Sequence, residues 1–167
     1  MVTRTVQPAP FHGLEFSSSA RIEIIPDSTY RVEIDAEQNL TGLFTVEVKN
    51  GILVIGVSDN MRPNVRPVIR VHTDRMSSIS TSGSADVSAG IFTTDNLDVR
   101  ISGSGKIGAF NISSRTCTVH ISGSGNCEVK ASEALDVHIS GSGNVYYQGN
   151  PEIDQHISGS GQIINSN

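Results

Sequence analysis

The sequence predicts an all-β fold, a parallel β-helix wound as a single-stranded, right-handed solenoid, with an N-terminal antiparallel strand and hairpin region capping it. First, the pentapeptide Ile-Ser-Gly-Ser-Gly begins at Ile101, Ile121, Ile139 and Ile157, after a degenerate copy at Thr81, with spacings of 20, 20, 18 and 18 residues. Second, the residues flanking each copy alternate between apolar and polar, the period-two mark of a strand with one buried face. Third, the composition is that of a turn-rich β protein: 16 glycines, 17% charged and 5% aromatic residues, and no tryptophan.

Each unit reads as strand, corner, strand. Before the pentapeptides stand Leu97-Asp98-Val99-Arg100, Cys117-Thr118-Val119-His120, Leu135-Asp136-Val137-His138 and Ile153-Asp154-Gln155-His156. After them, apolar residues return at Val87, Ile107, Cys127, Val145 and Ile163. A unit of 18 to 20 residues is too short for a strand and a crossover helix, and hairpin corners would prevent equivalent residues from stacking. Winding the chain so that each unit lies about 4.8 Å from the last aligns the Ile, Val and Leu positions in one core. Coils therefore start near residues 81, 101, 121, 139 and 157. Gly103, Gly105, Gly123, Gly125, Gly141, Gly143, Gly159 and Gly161 are the structural corner residues, in conformations that a side chain would resist.

Residues 1–75 carry strands without the repeat. Arg21-Ile22-Glu23-Ile24 and Tyr30-Arg31-Val32-Glu33-Ile34 look like a strand pair. Thr45 to Lys49 and Ile52 to Ile55 flank Asn50-Gly51, the strongest short-range hairpin signal. Val68 to His72 leads into the first coil behind Pro67, which marks a strand start or edge, and Asn60 to Pro67 reads as a loop. These strands are expected to cap the coils of residues 76–167 within one continuous structural domain, because an open coil end leaves backbone groups unpaired.

Charge and cysteines narrow the partners. The formal charge is −5, and residues 81–167, with 4 basic and 8 acidic groups, carry −4 of it. A nucleic-acid backbone is therefore not expected as a partner. The two cysteines, Cys117 and Cys127, fall where other repeats have Leu, Ile or Val, so they read as small buried hydrophobes. No apolar run approaches the roughly 20 residues of a membrane span, and Met1-Val2-Thr3-Arg4 does not open a secretory signal. Gly103-Ser104-Gly105-Lys106-Ile107-Gly108 matches a dinucleotide fingerprint, but no helix follows it and the other copies lack the third glycine.

The layout resembles the putative auto-transporter adhesin, head GIN domain family. The resemblance rests on the stretch from Phe11 to Phe16, the strands that follow, the hairpin from Val48 to Ile55, and then the Ser-Gly-Ser-Gly repeats. It covers roughly residues 8 to 165. It implies a β-helical fold and export to the periplasm, outer membrane or cell surface, with the signal peptide trimmed from the sequence in hand; a cytoplasmic location stays open. It implies no established activity.

Two outward columns carry the candidate chemistry: Asp98, Thr118, Asp136, Asp154, and beside it Arg100, His120, His138, His156. His120, His138 and His156 with Asp136 and Asp154 are the donor inventory of a zinc or copper site. A repeat stacks identical residues in any case, and ligands on adjacent strands must converge on one point. The columns are therefore read as a solvated ladder, with no metal, cofactor or catalytic residue assigned. A β-helix that cleaves acidic polysaccharide needs clustered carboxylates with calcium or a base; these aspartates are too regular, and Arg100, Lys106, Arg115 and Lys130 too scattered. The expected function is a non-catalytic, adhesin-like binding or structural module for a surface glycan or protein. The alternatives are a scaffold that assembles end to end as a homo-oligomer through its C-terminal coil, and a carbohydrate-active enzyme.

Overall fold

The computed structural model describes residues 1–58 and 65–167, so the loop expected from Asn60 lies outside the described residues as far as Asn64. In chain order the strands are β1 (Val2–Val6), β2 (Gly13–Ser18), β3 (Arg21–Pro26), β4 (Arg31–Ala36), β5 (Phe44–Lys49), β6 (Ile52–Val57), β7 (Val68–Thr73), β8 (Ser78–Gly83), β9 (Asp86–Ala89), β10 (Phe92–Gly103), β11 (Lys106–Gly108), β12 (Ile112–Gly123), β13 (Asn126–Gly141), β14 (Asn144–Gln148), β15 (Glu152–Gly159) and β16 (Gln162–Asn165). A 3₁₀ turn, Thr41–Leu43, is the only helical element among the described residues.

The chain forms a β-solenoid whose two faces meet at the Ser-Gly corners. The face leading into the corners runs β5-β6-β2-β8-β10-β12, then the second part of β13, then β15. The face leaving them runs β1-β4-β7-β3-β9-β11, then the first part of β13, then β14 and β16. All pairs from β6 to β15 and from β7 to β16 along these paths are parallel; β1 with β4, β4 with β7, and β5 with β6 are antiparallel.

Register explains why the repeat stacks. Val99 pairs with Val119 and Val119 with Val137, while Ile101, Ile121, Ile139 and Ile157 follow one another in a second file. The inward members up to Ile139 are all at most 2% exposed, so alternation along each strand has become a continuous core. Cys117 and Cys127 are buried in it, in the places that other coils fill with aliphatic residues. The 20-residue coils turn at Gly90–Ile91 and at Ala109–Asn111; in the first 18-residue coil β13 runs unbroken from one face to the other, with a register slip opposite Ser114–Thr116, and the second turns at Gly149–Pro151.

The two glycines of a corner do different work. Gly123 has φ +116, and a Cβ there would sit 2.6 Å from the carbonyl oxygen of Gly103, its equivalent one coil earlier. Gly125 has no such φ; its Cβ would meet Ile101 Cγ2 at 2.5 Å and Gly105 O at 2.6 Å. The first glycine is needed for backbone conformation and both for close approach. Across the corner Ser104, Ser124, Ser142 and Ser160 each donate a backbone N–H to the glycine carbonyl of the preceding coil, at 3.0–3.1 Å.

The N-terminal half departs from the expected arrangement. β3 and β4 are not partners, because β7 lies between them, parallel to β3 and antiparallel to β4. Nor are β2 and β3 cap strands: β2 lies parallel between β6 and β8, and β3 lies parallel between β7 and β9. Residues 13–26 thus make a coil of their own, inserted between the coil of β6–β7 and the coil of β8–β9. The reason is in the side chains: Leu14, Phe16, Ile22 and Ile24 have the inward alternation of the repeats and are at most 1% exposed. The antiparallel strands β1, β4 and β5 cover that end of the stack, and the hairpin at Asn50 (φ 53) and Gly51 (φ 77) has the two left-handed residues that a tight hairpin requires. Arg4 fastens β1 by donating to the carbonyls of Thr41 (3.1 Å) and Phe44 (2.8 Å).

Candidate functional site

Outward alternation along the face that leads into the corners places every second side chain in a file along the solenoid axis. Asp98, Thr118, Asp136 and Asp154 pair in register, as do Arg100, His120, His138 and His156. Ser102, Ser122, Ser140 and Ser158 form the next file. Together the Arg/His and Ser files flank an open groove of about 420 Å³ that crosses the coils from Ser80 to His156.

The imidazoles stack. The His120 and His138 ring centroids are 4.7 Å apart with planes 6° from parallel, and those of His138 and His156 are 4.9 Å apart at 15°. Each charged rung also pairs along its own strand: Arg100 Nε lies 3.4 Å from Asp98 Oδ1, His138 Nε2 3.0 Å from Asp136 Oδ1, and His156 Nε2 3.4 Å from Asp154 Oδ1. At His120 the companion is Thr118, so that rung has no carboxylate of its own. Of the five candidate metal ligands, Asp136, His138 and His156 bring one donor atom each to within 4.8 Å of the others; His120 and Asp154 fall outside the group.

Two further polar surfaces lie on other sides. A groove of about 580 Å³ is lined by Thr93, Thr94, Ser113, Ser114, Arg115 and Lys130, among others. Arg115 grips Glu133 there through two bonds of 3.1 Å, which raises the arginine and lowers the glutamic acid from their ordinary pKa values. Lys106 lies 3.8 Å from Glu128 on the face that leaves the corners. Three of the four basic residues scattered in sequence are thus held by an acid, Arg100 by Asp98, Lys106 by Glu128 and Arg115 by Glu133. Tyr147 packs against the core, and Tyr146 is half-buried.

One ionic cluster escaped the sequence reading. His72, 7% exposed, has Asp27 Oδ2 3.2 Å from Nδ1 and Glu33 Oε1 2.8 Å from Nε2. Beside it Arg70 donates to Asp35 at 2.8 Å, which holds the Asp35 carboxyl below the usual aspartate value, with Thr3 assisting. The cluster depends on the β4–β7 pairing, which puts Glu33 opposite Arg70 and Arg31 opposite His72. Outward Arg, Glu and His on strands of similar length were the available signal. Burial pushes the Cys117 thiol up to about 12 and raises that of Cys127, so neither suits nucleophilic chemistry.

Among the described residues no helix is long and apolar enough to cross a membrane. A family model described as "Putative auto-transporter adhesin, head GIN domain" matches residues 10–90 and 92–151. Among solved structures, a putative adhesin from Bacteroides fragilis is similar, with TM-score 0.65 and 20% identity over 99% of this chain and 96% of that one. A putative adhesin from Parabacteroides distasonis follows at TM-score 0.50 and 16% identity, covering 99% and 96%. A protein described as a putative lipid binding protein, also from Parabacteroides distasonis, aligns at TM-score 0.45 and 21% identity over 99% and 96%. No curated protein matches the chain.

Proposed function

The chain belongs to the putative auto-transporter adhesin, head GIN domain family, and from that premise we propose a non-catalytic binding module, exported and displayed at the cell surface or in the periplasm. The observation that carries this reading is the straight file of outward groups on the face leading into the corners, Arg100, His120, His138 and His156 beside three aspartates. Backbone pairing fixes their spacing, so a partner meets groups whose positions cost little entropy to order. A partner that repeats its own polar groups, a surface glycan or an extended protein segment, gains from simultaneous weak contacts along such a file. The adhesin-like family supports the non-enzymatic reading, as do the pairing of the nearby bases with acids and the burial of both thiols.

Glycan and matrix-protein arrays test it. Binding to a defined class of surface ligand, lost when Arg100, His138 and Asp136 are replaced together, is the expected result. Binding that ignores those replacements would overturn the assignment to this face, and depolymerisation of an acidic glycan would overturn the non-enzymatic part. Fractionation that left the native protein in the cytoplasm would overturn export.

A second reading has one observation in its favour. Ile153 and Ile157, which occupy inward files, are 37% and 38% exposed in the coil of β15–β16. An apolar coil face with free strand edges favours pairing with another chain, which supports end-to-end assembly. Sedimentation that found only monomers at all concentrations would remove it.

A further inference from the structure

We propose that Asp136, His138 and His156 form a surface site for a divalent transition metal of the zinc and copper class, independently of the adhesion reading. The sequence left open whether ligands on adjacent coils could converge. They do so at one place: one donor atom from each of these three residues lies within 4.8 Å of the others.

The local geometry is that of a cation site rather than of a closed hydrogen-bond network. Asp136 Oδ1 and His138 Nε2 stand 3.0 Å apart. The oxygen is shielded from solvent yet accepts no hydrogen bond. Two ligand atoms bound to a tetrahedral zinc at about 2.0–2.2 Å are roughly 3.3–3.5 Å apart, so this pair needs to open by only a few tenths of an ångström to chelate one. His156 stacks on His138 at 4.9 Å. Its side chain is 63% exposed and free to tilt the remaining distance.

The position along the ladder is specific. One rung towards the N-terminus, His120 faces Thr118 instead of a carboxylate, and one further, Arg100 replaces the imidazole. Along this ladder, only the coils of β13 and β15 supply two imidazoles that each have a carboxylate beside them on the same strand. Imidazole nitrogens with one carboxylate suit zinc and copper over calcium or magnesium, which prefer all-oxygen cages. Asp154, 3.4 Å from His156 Nε2, adds a second negative charge beside the cation. The set of two nitrogens and one oxygen leaves a coordination position for water or for a donor group of a bound partner.

Isothermal titration of the whole chain with zinc chloride, followed in parallel by imidazole NMR signals, tests the site. One equivalent is expected to bind, with the His138 and His156 resonances moving together. H138A and H156A should each weaken binding at least about tenfold, D136N should weaken it less, and H120A should leave it unchanged. All four side chains point outward, and far-UV circular dichroism checks that each variant keeps its strands. Absence of binding at millimolar zinc would overturn the proposal. So would binding that survives in the H138A/H156A double variant, or that H120A abolishes.

Discussion

The two halves of the solenoid solve the same packing problem in opposite ways. In the repeat half each coil lies on the one before it in the chain, so every contact joins residues about one repeat apart, as in Val119 with Val137. In the N-terminal half the coil of β2–β3 is inserted between two coils that come later, so Phe16 pairs with both Ile55 and Thr81. One half is covered by antiparallel strands and carries a half-buried ionic cluster around His72; the other ends in a coil whose Ile153 and Ile157 remain over a third exposed. The difference teaches that a file of side chains, rather than sequence order, sets the stacking. It also makes the N-terminal half the region where loss of one element removes support from two neighbours.

The file that runs Phe16, Thr81, Ile101, Ile121, Ile139, Ile157 allows the sharpest test of that contrast. F16A should cost about 3–5 kcal/mol in chemical denaturation, as a large buried aromatic does. I157A, at the exposed end of the same file, should cost at most about 1 kcal/mol. Equal costs would remove the distinction between the two ends. Next in size is G123A, whose Cβ would face Gly103 O from a positive φ; a loss of about 2–4 kcal/mol is expected, and a neutral result would mean that the corners do not stack.

A smaller effect, of opposite sign, is expected where the repeat first degenerates. Thr81 is 2% exposed, and its hydroxyl has no hydrogen-bond partner in a file otherwise apolar. T81V keeps the shape and removes the unsatisfied group, so it should stabilise by about 1 kcal/mol; a destabilised variant would show that the hydroxyl is paired. The smallest effect concerns pH and the N-terminal half alone. Arg70 lowers the Asp35 pKa in the folded state, so this carboxylate contributes stability above its unfolded value of about 3.9 and loses it as pH falls through the lower folded value. D35N should therefore be less stable than the parent at pH 7, and the gap should close in acid. A gap that widened on acidification would contradict the assignment.

How far the sequence revealed this arrangement follows from the same contrast. Identical corners and alternating flanks made the coil register of the repeat half readable, together with the outward Asp and His files. The hairpin at Asn50-Gly51 was readable because its turn chemistry is local. The inserted coil was not, since Leu14, Phe16, Ile22 and Ile24 look like any alternating strands, and their partners lie tens of residues away. Taking β3 and β4 for neighbours followed from sequence proximity, and it hid the His72 cluster, which exists only when β7 enters between them. At the metal-ligand set the sequence supplied the inventory; which three of the five residues converge depends on side-chain directions that repeat spacing does not encode.

Hydrogen exchange resolved along the chain tests the inserted coil most directly. Strands β2 and β3 have parallel partners on both sides, so residues 14–25 should exchange as slowly as β10 and β12, while β15 and β16 exchange far faster. Rapid exchange through residues 14–25, with protection elsewhere intact, would contradict the placement of that coil inside the stack.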